Sequence, residues 1–242
     1  KGFNLVTEIH ERVKIYNKDG FDYATKSIPL YKSGVNDEIV SGLKGYTFSL
    51  DHGNIEEYKL KKDGIFKTEM SKYYNETKFT MPNVREGVVL EYQYEIRSPF
   101  HQNVDIFEFQ HDIPIKKLES KFEVPEYFNF KKNIKGFLNV IAKEETKQGK
   151  ITFKDKTRTG TTGLSGVQTN YSSSDIQFRK YISTYNLSDV PALKDEPYVN
   201  NINNYRSSVK YELSYTQFPN SVIDYRSTTW EDVVKTIYKS DN

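Results

Sequence analysis

The sequence predicts an all-β chain: an antiparallel β-sandwich of about ten or more strands with a short C-terminal helix. Three observations predict it. Tyr and Phe, at 19 and 15 of 242 residues, dominate the apolar set, and aromatic side chains suit a pleated, half-buried surface. Ala, the best helix former, occurs only at Ala24, Ala142 and Ala192. Short segments of period-2 alternation recur along the chain between turn residues.

The first such segment runs from Leu5 to Tyr16. Leu5, Ile9, Val13 and Ile15 fall on one face, and Glu8, His10, Arg12 and Lys14 on the other, as in a strand with one wet face. Lys18-Asp19-Gly20 reads as a turn in which Gly supplies a positive φ, and Phe21–Tyr31 as the return strand. Leu43–Leu50 and Ile55–Leu60 flank Asp51-His52-Gly53-Asn54, a second hairpin signal. Lys61–Asn75 is less periodic and reads as an irregular stretch with a short helical turn. Pro82 and Gly87 punctuate Phe79–Gly87, which predicts a rigid corner with Phe79, Met81 and Val84 packed under the strand that begins at Val88. Val88, Leu90, Tyr92, Tyr94 and Ile96 share one face of that strand.

Further strands are expected at Ile106–Ile113, Lys116–Val124, Phe137–Lys143, Lys150–Lys154, Ile176–Thr184 and Ser208–Phe218. Glu144–Gly149 reads as a polar hairpin loop, and the Gly-, Ser- and Thr-rich run Thr157–Ser174 as a long loop. Val190–Tyr205 reads as irregular. Thr228-Thr229-Trp230-Glu231-Asp232 carries a Thr-x-x-Glu capping signal. Trp230, Val233, Val234 and Ile237 follow at helical spacing as one apolar stripe for packing against a domain. The expected division is therefore a β-sandwich over 1–226 and a linker helix over 227–242.

Composition narrows the function. The 35 basic and 33 acidic side chains are interspersed, with a formal net charge of +2, so there is no nucleic-acid footprint. No run of about 18 apolar residues spans a membrane. The chain contains no Cys, which removes disulfides, thiolate zinc sites and cysteine nucleophiles within it.

No catalytic, cofactor-binding or metal site is expected. His10, His52, His101 and His111 have no metal-ligand spacing. Glu56/Glu57, Glu144/Glu145 and Asp195/Glu196 are carboxylate neighbours of the solvated kind. Gly160, Gly163 and Gly166 lack the Lys-Ser/Thr ending and the strand–helix context of a phosphate loop. Asn75, Asn170 and Asn186 head Asn-x-Ser/Thr triplets that read as chance matches. The aromatic excess has two readings: cross-strand pairs within sheets, or exposed rings offering a sugar-binding platform.

Several ordered stretches carry a resemblance. They are Glu11–Asn17 with Asp19-Gly20, Phe79–Gly87, Tyr92–Tyr94 to Ser98-Pro99, Phe109-Gln110 with Ile113-Pro114, Val124–Phe128, and Pro191–Glu196. In this order they resemble the uncharacterised β-rich domain that precedes the transglutaminase-like, papain-like core in Bacteroidetes envelope proteins. The resemblance implies an exported chain, periplasmic or associated with the cell envelope. It also implies a non-catalytic accessory role beside a downstream cysteine-dependent core in the same polypeptide, orienting or shielding that core or recruiting its substrate. It carries no catalytic residue to this chain. The alternative expectation is a module that binds glycan or peptidoglycan, or an envelope partner.

Overall fold

The computed structural model describes residues 3–159, 168–194, 197–226, 234–235 and 238. The described residues are all-β with antiparallel pairing throughout, as the sequence predicts. A single sandwich is not what forms. The strands fall into four sheets in two compact units, Lys1–Gln102 and Asn103–Asn242.

The first unit holds β1 (Leu5–Lys14), β2 (Thr25–Tyr31), β3 (Ile39–Asp51), β4 (Asn54–Lys59), β5 (Ile65–Ser71), β6 (Tyr74–Thr80) and β7 (Val89–Ser98). One sheet has the order β1-β7-β3-β4 and the other β2-β6-β5. The alternation read in β1 is the observed one: its odd positions are half-buried and its even positions exposed. On β7, Leu90, Tyr92 and Tyr94 point inward and are buried. Both sheets contribute to one core, in which Ile28, Leu30 and Phe79 meet Val88, Leu90, Tyr92 and Tyr94. The Phe79 ring lies edge-on to Tyr92 with centroids 5.2 Å apart, a preferred aromatic geometry.

Segment Lys18–Ala24 departs from its expected turn. It is a 3-10 helix, and Gly20 does not adopt a positive φ. β2 is consequently not the return strand of β1. The helical segment carries the chain from one sheet to the other, so β1 pairs with β7 and β2 with β6. The second hairpin forms as read: β3 and β4 close with Asp51 opposite Asn54. His52 and Gly53 both take positive φ, as a two-residue primed turn requires. The Phe79–Gly87 corner also forms as read. Phe79 and Met81 are buried, Val84 packs against the same core, Gly87 has φ +83, and the Pro82 carbonyl accepts the Thr47 hydroxyl at 2.6 Å. Lys61–Asn75 is more regular than expected. After one 3-10 turn at Lys62–Gly64 it contains β5 and the turn into β6.

The second unit holds β8 (Phe107–Glu108), β9 (Ile115–Pro125), β10 (Phe128–Lys135), β11 (Ala142–Thr159), β12 (Gln168–Val190), β13 (Ser208–Thr216) and β14 (Asp224–Tyr225). One sheet runs β10-β13-β14 with β8 also on β13, and the other runs β11-β12-β9. They share a core of Phe109, Phe122, Val140, Tyr185, Val209 and Tyr211. Phe122 of β9 stacks on Tyr211 of β13 at 4.0 Å between centroids, joining the two sheets.

Four sequence expectations are corrected here. Only Phe107–Glu108 of the expected Ile106–Ile113 strand is strand. Phe128–Lys135, not expected as a strand, is β10. Glu144–Gly149 is not a loop: β11 runs unbroken through it, and Phe137–Ile141 lies outside the strand. Within the expected loop Thr157–Ser174, Thr157–Thr159 and Gln168–Ser174 are paired strand, and 160–167 lie outside the described residues.

Candidate functional site

The C-terminal stripe is the one packing site the sequence singles out. Trp230, Val233 and Ile237 lie outside the described residues. Val234 is helical, as are Lys235 and Tyr238, and it is 46% exposed.

The polar chemistry of the first unit is built by strand pairing. Register places Arg12 of β1 directly opposite Glu91 of β7. The Arg12 guanidinium donates two hydrogen bonds to one Glu91 oxygen, at 3.0 and 2.7 Å, and His10 Nε2 lies 2.7 Å from the other. Partial burial works to raise the Glu91 pKa, but His10 and Arg12 outweigh it and hold the carboxyl below its usual range. This is a cross-strand ion pair on a wet sheet face. One turn of the pleat away, Glu11 points inward. It accepts the Tyr92 hydroxyl and lies 3.3 Å from Lys26 Nζ. Burial first, then the Glu11 charge, pushes the Tyr92 phenol well up, so this hydroxyl stays protonated as a donor.

The carboxylate neighbours do not converge. Successive strand residues point to opposite faces. Glu144 accepts Lys132 Nζ at 2.8 Å and the Ser183 hydroxyl at 2.6 Å. Glu145, on the other face, takes Lys143 at 2.7 Å and Lys147 at 3.4 Å. Glu56 accepts the Tyr58 hydroxyl. Asp195/Glu196 and the three glycines 160, 163 and 166 lie outside the described residues. Among the described residues, no group of three or more His, Asp or Glu side chains could hold a metal ion.

A shallow polar depression of about 660 Å³ lies in the first unit, lined by Lys32, Ser33, Asp37, Glu69, Lys72 and Tyr73 among others. Its charged groups are engaged locally. Lys32 Nζ sits 2.7 Å from Glu69, and Asp37 accepts the Ser33 and Gly34 backbone N–H groups at 3.2 and 3.4 Å.

Many of the aromatic rings are paired within sheets or across cores. Tyr31 meets Phe100 and Tyr74 edge-on, and Phe122 meets Phe130 and Tyr211. Tyr16, Phe137, Tyr171 and Tyr198 are strongly exposed, with Phe137 stacked on Tyr205.

No protein-family model matches this sequence, and no curated protein does. A solved structure from Parabacteroides distasonis, of a protein described as a "putative protease", has a similar fold, with a TM-score of 0.62 at 14% sequence identity. The likeness covers 88% of this chain and 37% of that one, so this chain spans little more than a third of that protein's length. At this identity the likeness concerns fold alone. It places the β-rich architecture in a Bacteroidetes protein, the group to which the sequence resemblance also points.

Proposed function

We propose that this chain is a non-catalytic, β-rich accessory region of a transglutaminase-like protein of the bacterial envelope, which orients a downstream cysteine-dependent core or recruits its substrate. The observation that carries the reading is the fold likeness to one part, 37%, of a longer protein described as a "putative protease". Two features support it. Glu11, Glu91, Glu144 and Glu145 are engaged in pairs on the sheets. The apolar stripe Trp230, Val233, Val234 and Ile237 needs a partner to be buried, and a following core would supply one. Export to the periplasm or envelope belongs to the same proposal.

The coding sequence past Asn242 tests it. A Cys followed by a His and an Asp in the next domain is the expected result. A downstream region without that set removes the association.

A further inference from the structure

The distal part of the β11–β12 hairpin extends beyond its third strand, β9. β9 pairs with β12 only from Lys180 onward. The last anchors are at Phe178, whose ring lies 5.9 Å from Tyr127, and at Arg179, whose N–H and guanidinium both bond Glu126. Beyond them, from Lys150↔Gln177 to Thr159↔Gln168, β11 and β12 pair only with each other. At about 3.3 Å per residue this ribbon is roughly 30 Å long. Two strands alone are marginal in water, and a third strand is what stabilises such a unit. β11 is the terminal strand of its sheet, so its outward N–H and C=O groups have no strand partner among the described residues.

The ribbon also has a charged face. Strand alternation puts Lys150, Lys154, Lys156 and Arg158 on the same side of β11. Nearer the body, the cations of β11 are matched: Lys150 by Asp175 at 2.7 Å, and Lys143 and Lys147 by Glu145. Toward the tip they are not. Lys154, Lys156 and Arg158 stand opposite Ser173, Tyr171 and Thr169. Lys156 lies over the Tyr171 ring at 5.7 Å, and among the described residues none of the three cations has a carboxylate partner. All three are exposed, and consecutive ones are about 7 Å apart along the strand.

We propose that this ribbon is a docking arm that accepts an extended acidic peptide as a third strand along β11. A strand bearing Asp or Glu at every second position has the same repeat as the cation row. Added at the normal inter-strand spacing, it sets its carboxylates beside Lys154, Lys156 and Arg158, while its backbone pairs with the open edge of β11. The two features select the same ligand: the edge requires extended backbone, and the cation row requires acid at period 2. The inference is independent of whether a catalytic core follows this chain.

Fluorescence anisotropy of the intact chain with a labelled peptide of alternating Glu and Thr tests the proposal. Saturable binding is expected. A Lys154→Ser/Lys156→Ser/Arg158→Ser variant should weaken it about tenfold, the sum of a few exposed ion pairs. The same peptide N-methylated at every residue keeps its charge but loses its backbone donors, and should bind at least about tenfold more weakly. Because the serine variant could disturb the ribbon, a Lys154→Glu/Lys156→Glu/Arg158→Glu variant provides a second test, and it should bind an alternating Lys–Thr peptide instead. Absence of binding to the unmodified chain at low salt overturns the proposal. So does equal binding of the N-methylated peptide or of dextran sulfate, which would reduce the arm to a general polyanion contact.

Discussion

The buried Tyr185–Tyr211 pair allows a sharp test of how the second unit is held together. Their hydroxyls lie 2.6 Å apart, with Tyr185 fully buried and Tyr211 nearly so. Burial, and then the bond to Tyr211, pushes the Tyr185 phenol upward, so the Tyr185 hydroxyl stays protonated. Changing either residue to Phe keeps the ring, and with it the stack of Phe122 on Tyr211 and the contact of Phe109 with Tyr185. It strands the other hydroxyl in an apolar core. A buried, unsatisfied hydroxyl costs about 1–3 kcal/mol, whereas removing both partners of such a bond is nearly neutral. Tyr185→Phe and Tyr211→Phe should therefore each destabilise by about 1–3 kcal/mol, or roughly 3–15 °C in melting temperature for a unit of this size. The double variant should be no worse than either single one. Urea unfolding of the four proteins, followed by far-ultraviolet circular dichroism, gives the cycle. Additive losses in the double variant, or single variants indistinguishable from the parent, would refute the reasoning.

Four further variants have expected outcomes. Gly136 has φ +95, and an added Cβ would lie 2.3 Å from the Ser207 Cα; Gly136→Ala should cost about 2–5 kcal/mol from backbone strain plus overpacking. Gly42→Ala, at φ +65 in open space, should cost only about 1–2 kcal/mol, and thermal melts of the two variants give the comparison. Tyr94 is pushed up to about 12 by burial and then by Glu11, and Tyr92 is raised by the same causes. Their stabilising contribution is thus intact below the free phenol value of about 10 and is lost as pH rises through and beyond 12; melting temperature against pH should fall less steeply in this window for Tyr92→Phe/Tyr94→Phe. Glu123 is held low by hydrogen bonds from Lys121 and Lys180, so its contribution exists above the unfolded carboxyl value of about 4.3 and is lost as pH falls through the lower folded value. Glu123→Gln should flatten the acid side of the melting profile by only about 1–3 °C, because the pair is solvent-screened.

What the sequence made legible tracks how unequal the two faces of each strand are. β1 and β7 each have one apolar and one polar face, so their alternation reads directly. The Asp51–Asn54 turn is local and announces its hairpin. β5 and β10 each have little buried surface: Phe66, Met70 and Ile134 are exposed, and only Phe128 of β10 is buried. With little burial there is no periodic signal to read. β11 is polar on both faces through Glu144–Gly149, which is the composition of a loop, and only its pairing with β12 makes it a strand. Partner choice was the other hidden quantity. Alternation fixes which face is inward but not which strand lies alongside, so the exchange of β1 and β2 between sheets was invisible. The polar clusters were hidden for the same reason, since Arg12 and Glu91 meet only through the β1–β7 register. The cation row of the docking arm was written in the sequence as Lys154, Lys156 and Arg158. Its meaning depends on the strand that replaced an expected loop.

The proposed function assigns any peptide or amide chemistry to a cysteine-dependent core beyond this chain. Because residues 1–242 contain no Cys, a thiol alkylating agent separates the two. The full-length polypeptide and residues 1–242 alone are each assayed on peptide and amide substrates, with and without iodoacetamide. Turnover by the full-length protein that iodoacetamide abolishes, and none by residues 1–242, is the expected result. Turnover by residues 1–242, or full-length activity that survives alkylation, would contradict it.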